Sequence, residues 1–360
     1  MNFTASSIIT GMQCPKLYRY KYVDGYKSKL TGPIRVGILV HVGLEEYWLG
    51  NSLEESLAEM HNVVSGVGPG NSKDDWWDSD DGQIAYEKCR AYIRGYYKKY
   101  TGDDGWAKDP IKCFGKNPIT IFTEKEFEYI SNGVKYRGKM DVLIVDYKLG
   151  QVTVIEHKTT SSDIAIGGNY FRRLPVDIQL TIYREAATRF LRENTGWERT
   201  EAYPVPIVIY DVIQTTKASP RQKTKKEGGS PVTRRKGEND DQVKARKLFN
   251  LETLEEFSER MSREYEEDLH PSKYARQEVM CTSAQHEIKL IELEEYGKLL
   301  LNRDFLEIRN STSCGNFGGC AFLDVCLGVT PLEGMLSLER SEDFHPELEG
   351  KAPRWISYNQ

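Results

Sequence analysis

One stretch limits what this chain can fold into more than any other: residues 138–158, GKMDVLIVDYKLGQVTVIEHK. The runs MDVLIVD and QVTVIEHK are rich in β-branched residues and flank Lys148-Leu149-Gly150, which predicts two strands joined by a tight turn. A four-residue loop from Tyr147 to Gly150 pairs Asp146 with Gln151 and sets Asp141 directly across from Glu156. Period-two alternation then puts Glu156 and Lys158 on one face, and Asp141 joins them across the ladder. Adjacent carboxylates repel unless a divalent cation lies between them, and carboxylates with water suit a hard Mg²⁺ or Mn²⁺ ion. The Lys158 ammonium would hold a water or a developing phosphorane charge. The competing reading is a solvated hairpin face carrying weak ion pairs. Against it, the two strands are otherwise almost entirely apolar, and a charge that interrupts a core strand needs a partner.

Upstream, residues 37–48 (GILVHVGLEEYW) have apolar residues at helical spacing, with His41 on the face of Leu44 and Trp48. On such a face a histidine is more often packed than a ligand. Strands are expected at 119–129 and 134–140 around the turn Ser131-Asn132-Gly133, so the sheet has at least four strands, and Glu124, Glu126 and Glu128 alternate along what reads as an exposed face. Pro175 is expected to open a helix running to about Leu191, on which Gln179 and Tyr183 are neighbours four apart. Residues 205–215 read as a further buried strand, and 241–302 as long charged helices. Trp76, Trp77 and the tyrosines of 83–100 read as packing residues of a helical insertion.

The net charge of −5 excludes a generally basic nucleic-acid binder, but residues 214–236 carry eight Lys or Arg against one Glu, a local charge of +7 in a chain whose remainder sums to −12. Phosphate contact would therefore be local or metal-assisted, and this loop is either a phosphate clamp or a solvated linker. Seven cysteines, with no secretory pattern, argue against a disulfide framework. Cys314, Cys320 and Cys326 recur with five residues between neighbours, a pattern better suited to zinc or iron–sulfur ligation than to packing. No apolar run approaches the length of a membrane span, so the chain is expected to be intracellular, in a reducing cytoplasm and away from membranes.

Gly138-Lys139-Met140-Asp141 followed by Ile155-Glu156-His157-Lys158-Thr159-Thr160 resembles the PD-(D/E)XK nuclease superfamily, in the RecB-like branch that includes CRISPR-associated exonucleases and AddB-type nuclease domains. Lys139 and Met140 stand where the superfamily's name suggests a proline before the first acid. The resemblance implies an α/β, restriction-endonuclease-like core with a central mixed sheet flanked by helices and helical insertions. It implies that His41, in the phrase Gly37-x-x-x-His41, contributes to a metal site with Asp141, Glu156 and the His157 backbone carbonyl, that Lys158 is catalytic, and that Gln179 and Tyr183 hold the substrate strand. It also implies that Cys14, Cys314, Cys320 and Cys326 carry a [4Fe–4S] cluster joining the chain ends, although Cys314 lies further from Cys320 than the usual two-residue gap.

The expected organisation is an N-terminal segment 1–36 with the first cluster cysteine, a nuclease core 37–215 with an insertion at about 50–110, a basic mobile loop 216–240, C-terminal helices with the cysteine motif 241–330, and a tail 331–360. The leading functional expectation is a Mg²⁺- or Mn²⁺-dependent deoxyribonuclease, an exonuclease acting on single-stranded or free-ended DNA in end processing, recombination or repair. Its rivals are a catalytically silent DNA-binding or scaffold module, a structure-specific endonuclease, and, for the thiols, structural zinc. The chain has no Walker P-loop, so unwinding would come from a helicase or recombination partner.

Overall fold

The computed structural model describes residues 2–28, 30–68, 73–101, 119–195, 206–224, 227, 229, 238–269, 271–316, 319–334, 338–340 and 354–358. Its centre is a seven-stranded mixed sheet built from β1 (Asn2–Phe3), β3 (Ile119–Ser131), β4 (Val134–Asp146), β5 (Gln151–Thr160), β6 (Ile207–Gln214), β7 (Tyr274–Glu278) and β9 (Arg354–Tyr358). The strand order is β7-β6-β5-β4-β3-β9, with β1 lying parallel to β4. A separate pair joins β2 (Tyr26–Ser28) to β8 (Leu338–Arg340). The β5–β6 neighbours are parallel and the other neighbours along the main path antiparallel.

Helices cover both faces, as the alternation of apolar residues requires. On one face α1 (Ala5–Gln13), α7 (Ile178–Thr195) and α10 (Ser283–Leu301) pack over Leu143, Val145, Val154, Tyr210 and Val212. On the other, α3 (Gly32–Trp48), α4 (Leu53–Ser65), α5 (Asp80–Tyr100) and α9 (Leu254–Glu267) pack over Val142, Ile144, Ile155 and Ile209. Shorter helices α2 (Pro15–Tyr18), α6 (Asn169–Arg172), α8 (Asp240–Phe249) and α11 (Leu323–Leu327) complete the chain. Gly43 lets α3 close onto α5, because a Cβ there would meet Ile93 Cγ1 at 2.7 Å. Trp77 is buried and Trp76 lies under the Arg35 guanidinium at 5.1 Å, so both tryptophans are packing residues.

The hairpin register is the expected one, with Asp146 opposite Gln151. The β3–β4 turn places Asn132 and Gly133 at φ 45° and 80°, the left-handed pair that a two-residue hairpin loop demands. Two expectations need correction. The helix expected from Pro175 begins at Ile178, because Pro175 sits in a 3₁₀ turn (Leu174–Val176) and the Asp177 carboxylate accepts the Gln179 N–H at 2.8 Å. The segment 241–302 is not helical throughout, since β7 extends the sheet beside β6. The tail contributes β9 as the edge strand beside β3.

The basic loop lies partly outside the described residues. Its first part is anchored: the Lys223 N–H donates to the Asn250 carbonyl at 2.8 Å, Gln222 bridges to Leu251, and Arg221 and Lys223 pair with Glu252 and Glu256 at 3.4 and 2.7 Å. The N-terminal helices meet the segment that carries the three late cysteines. The Gln13 carbonyl accepts from Asn310 Nδ2 at 2.7 Å and Ser313 Oγ at 2.9 Å, and the rings of Tyr20 and Phe322 stack at 5.2 Å.

Candidate active site and metal centre

The sheet is irregular where its acids gather. Twelve residue pairs join β3 to β4, and the run skips only Glu124 opposite Asp141. Both strands change sides there: Tyr136 and Met140 line the same layer as Leu143 and Val145, and Phe122 packs on the same layer as Phe127 and Tyr129. Even and odd positions exchange faces across Glu124 and Asp141, and Glu124 adopts φ 48° in the left-handed region. The β4–β5 pairing also ends beside Asp141, at Val142 opposite Ile155. Asp141 is thus not locked in a ladder pair across from Glu156; its Oδ2 accepts the His157 backbone N–H at 2.7 Å, while Oδ1 lies 3.6 Å from His41 Nδ1.

Glu156 is buried, at 1% exposure. Its Oε1 accepts from Gln179 Nε2 at 2.8 Å and from Lys158 Nζ, whereas its Oε2 has no hydrogen-bond partner. Gln179 also donates to the Tyr183 hydroxyl at 2.8 Å. The four-residue spacing on α7 thereby becomes one hydrogen-bonded unit holding Glu156 from the helix layer. Asp177 supports it by capping Gln179 and accepting from the Tyr210 hydroxyl at 3.1 Å. Burial, then the Asp141 charge, pushes the Glu156 carboxyl up to about 8. Burial opposes the charge on Lys158, but Glu156 and Asp141 outweigh it and raise its pKa.

His41 reaches the site from α3, on the opposite layer. Burial lowers its pKa, and Asp141 pulls the other way. One ligand atom each from His41, Glu124 and Asp141 falls within 4.8 Å of the others, which makes these three a candidate cation-holding group. Glu124 therefore does not belong with Glu126 and Glu128, which are exposed as expected of that strand face. Period-two reasoning assumed an unbroken strand, and the side switch carries Glu124 inward. Burial, followed by the Asp141 and Glu45 charges, raises its carboxyl to about 8.

His157 points to the other face of β5. Its Nδ1 lies 3.4 Å from Asp211 Oδ2, and Asp211 meets Arg276 Nε at 3.1 Å and the Tyr96 hydroxyl. The Arg276 guanidinium lies 3.7 Å from the Tyr100 ring centroid. Burial works against ionisation of Asp211, yet Arg276, His157 and Tyr96 together hold its carboxyl down at about 2. Neither Asp211 nor Arg276 was legible as a partner of the hairpin, because they lie 54 and 119 residues beyond His157 in the chain.

Three acids on three neighbouring strands, a lysine and a helix-borne glutamine–tyrosine pair thus meet in a chain that matches a family model over residues 2–327, nearly its whole length. The chain belongs to the PD-(D/E)XK nuclease superfamily. No curated protein and no solved structure matches it. Membership in this nuclease superfamily gives the buried acids a phosphodiester-hydrolase context, and the superfamily's divalent metals suit the donor set: an imidazole, carboxylates and an orphaned buried carboxylate oxygen.

In this PD-(D/E)XK nuclease Cys14, Cys314, Cys320 and Cys326 are free thiols. Burial raises the Cys320 thiol, and Cys326, Cys314 and Cys14 raise it further. Among the described residues no three cysteine sulfurs lie within 4.8 Å of one another. No described helix is long and apolar enough to cross a membrane.

Proposed function

We propose that this chain is a Mg²⁺- or Mn²⁺-dependent DNA nuclease of the RecB-like kind, acting as an exonuclease on single-stranded or free-ended DNA in end processing, recombination or repair. The observation that carries the reading is the Glu156 carboxylate: one oxygen is held by Lys158 and Gln179, and the other is buried without a partner beside Asp141. A buried carboxylate left half-satisfied is costly unless a cation meets it.

His41, Asp141, Glu156 and the His157 carbonyl would hold the cation, whose chemistry is to activate water and to neutralise charge at the scissile phosphate. The chain's own groups do the rest. Lys158, a third exposed and kept charged by Glu156 and Asp141, offsets the charge that develops on the phosphate. Gln179 fixes the rotamer of Glu156, and Tyr183 fixes Gln179. The His157 N–H orients Asp141. DNA is the proposed substrate, with a helicase or recombination factor as a partner, in a reducing cytoplasm.

Cys14, Cys314, Cys320 and Cys326 are proposed to hold a [4Fe–4S] cluster that staples the chain ends. Support comes from the effect of Cys326, Cys314 and Cys14 on the Cys320 thiol, a repulsion that iron ligation would relieve. A zinc tetrahedron would need sulfurs about 3.8 Å apart, given its bond length. Anaerobic purification should yield a brown, iron-containing protein; a colourless, zinc-containing one overturns the cluster.

The deciding experiment compares linear with covalently closed single-stranded DNA in Mn²⁺, using wild type and Lys158→Ala. Loss of only the linear substrate, and only with wild type, is expected. Cutting of circles makes the enzyme an endonuclease, and no cutting by cluster-loaded protein makes it a binding module.

A further inference from the structure

We propose that Glu124 is a further cation ligand of this centre, beside His41 and Asp141. The inference rests on the reading of this centre as a divalent-metal site. It begins from the mutual approach of one ligand atom each from His41, Glu124 and Asp141, within 4.8 Å, a grouping that does not include Glu156. Two carboxylates and an imidazole are an oxygen-rich set with one nitrogen, which Mn²⁺ accepts.

A second observation comes from the same centre. Glu156 Oε2 is buried without a hydrogen-bond partner, while Lys158 and Gln179 both reach Oε1. The centre therefore keeps a buried carboxylate oxygen open to a cation.

The backbone is built for this aim. A regular strand would turn Glu124 out beside Glu126 and Glu128; instead its φ of 48° accompanies the change of sides that both strands make at Glu124 and Asp141. A left-handed glutamate in mid-strand is strained, and glycine would relieve that strain.

The test is calorimetric titration of Mn²⁺ into the full-length protein without DNA, for wild type, Glu124→Gln, Glu124→Gly and Asp141→Asn, with melting curves alongside. Glu124→Gln keeps shape and removes charge; Glu124→Gly accommodates the backbone and removes the ligand. Both are expected to weaken Mn²⁺ binding about tenfold or more, with Glu124→Gly melting no lower than wild type. Wild-type binding in Glu124→Gly and Glu124→Gln, with loss in Asp141→Asn, overturns the role of Glu124 and leaves the nuclease reading standing. Absence of Mn²⁺ binding in the wild type overturns both.

Discussion

The two faces of β5 solve the same electrostatic problem in opposite ways. Toward α5 and α9, buried Asp211 is matched by Arg276, Tyr96 and His157, and its carboxyl is held down at about 2. Toward α7, equally buried Glu156 faces the Asp141 charge as well as Lys158, and its carboxyl is pushed up to about 8. Adjacent residues of one strand, His157 and Glu156, thus lie in a network whose acid is held ionised by a guanidinium and in one whose acid is opposed by burial and a second carboxylate. A network whose charges already balance stabilises the fold; one that lacks positive charge is prepared to take it from outside. Burial alone therefore does not separate a structural acid from a functional one. The state of its partners does.

Four experiments break or sharpen this contrast. The largest effect is expected from Arg276→Met, which strands the Asp211 charge and should cost about 3–5 kcal/mol in urea unfolding. Adding Asp211→Asn should recover part of that loss; a single variant as stable as wild type would mean that compensation does not hold this face together. On the opposite face Lys158→Ala should lower the cleavage rate about 100- to 1000-fold with little change in melting temperature. An active, folded variant removes Lys158 from the chemistry.

The third experiment is the pH dependence of melting without metal. Glu124 and Glu156 titrate at about 8 in the folded protein, above the ordinary value of about 4.3 in an unfolded chain. Between those values the native state holds protons that the unfolded chain has released, so stability falls as pH rises from 5 to 8. Mn²⁺ should restore melting at pH 8 and do little at pH 5. Asp211 works the other way: its contribution is present above about pH 4 and disappears as pH falls through about 2. A melting temperature flat from pH 5 to 8 would refute the incomplete network. The smallest effect belongs to Glu128→Gln, an exposed acid paired with Lys135 at 2.6 Å, expected to change stability by no more than about 0.5 kcal/mol. A large loss there would erase the distinction between Glu124 and its neighbours.

Much of this was legible in local spacing. The turn residues set the hairpin register, with Asp146 opposite Gln151. The i, i+2 relation of Glu156 to Lys158 and the i, i+4 relation of Gln179 to Tyr183 became hydrogen bonds, since those offsets bring side chains together on a strand and on a helix. The family itself could be named from these residues, because its motif is carried by one hairpin and one helix.

What the tertiary structure decided lies beyond such offsets. Period two cannot foresee the place where β3 and β4 exchange faces, so Glu124 read as an exposed strand acid and is instead grouped with His41 and Asp141. No spacing links Asp211 to Arg276 or Tyr96, whose contacts span 65 and 115 residues of chain. β7 and β9 lacked a strong apolar alternation and take their strand form from the edges they extend. A sequence specifies which side chains its own turns and repeats bring together; which acids end up compensated is decided by elements that meet only when the sheet and its two helical layers close.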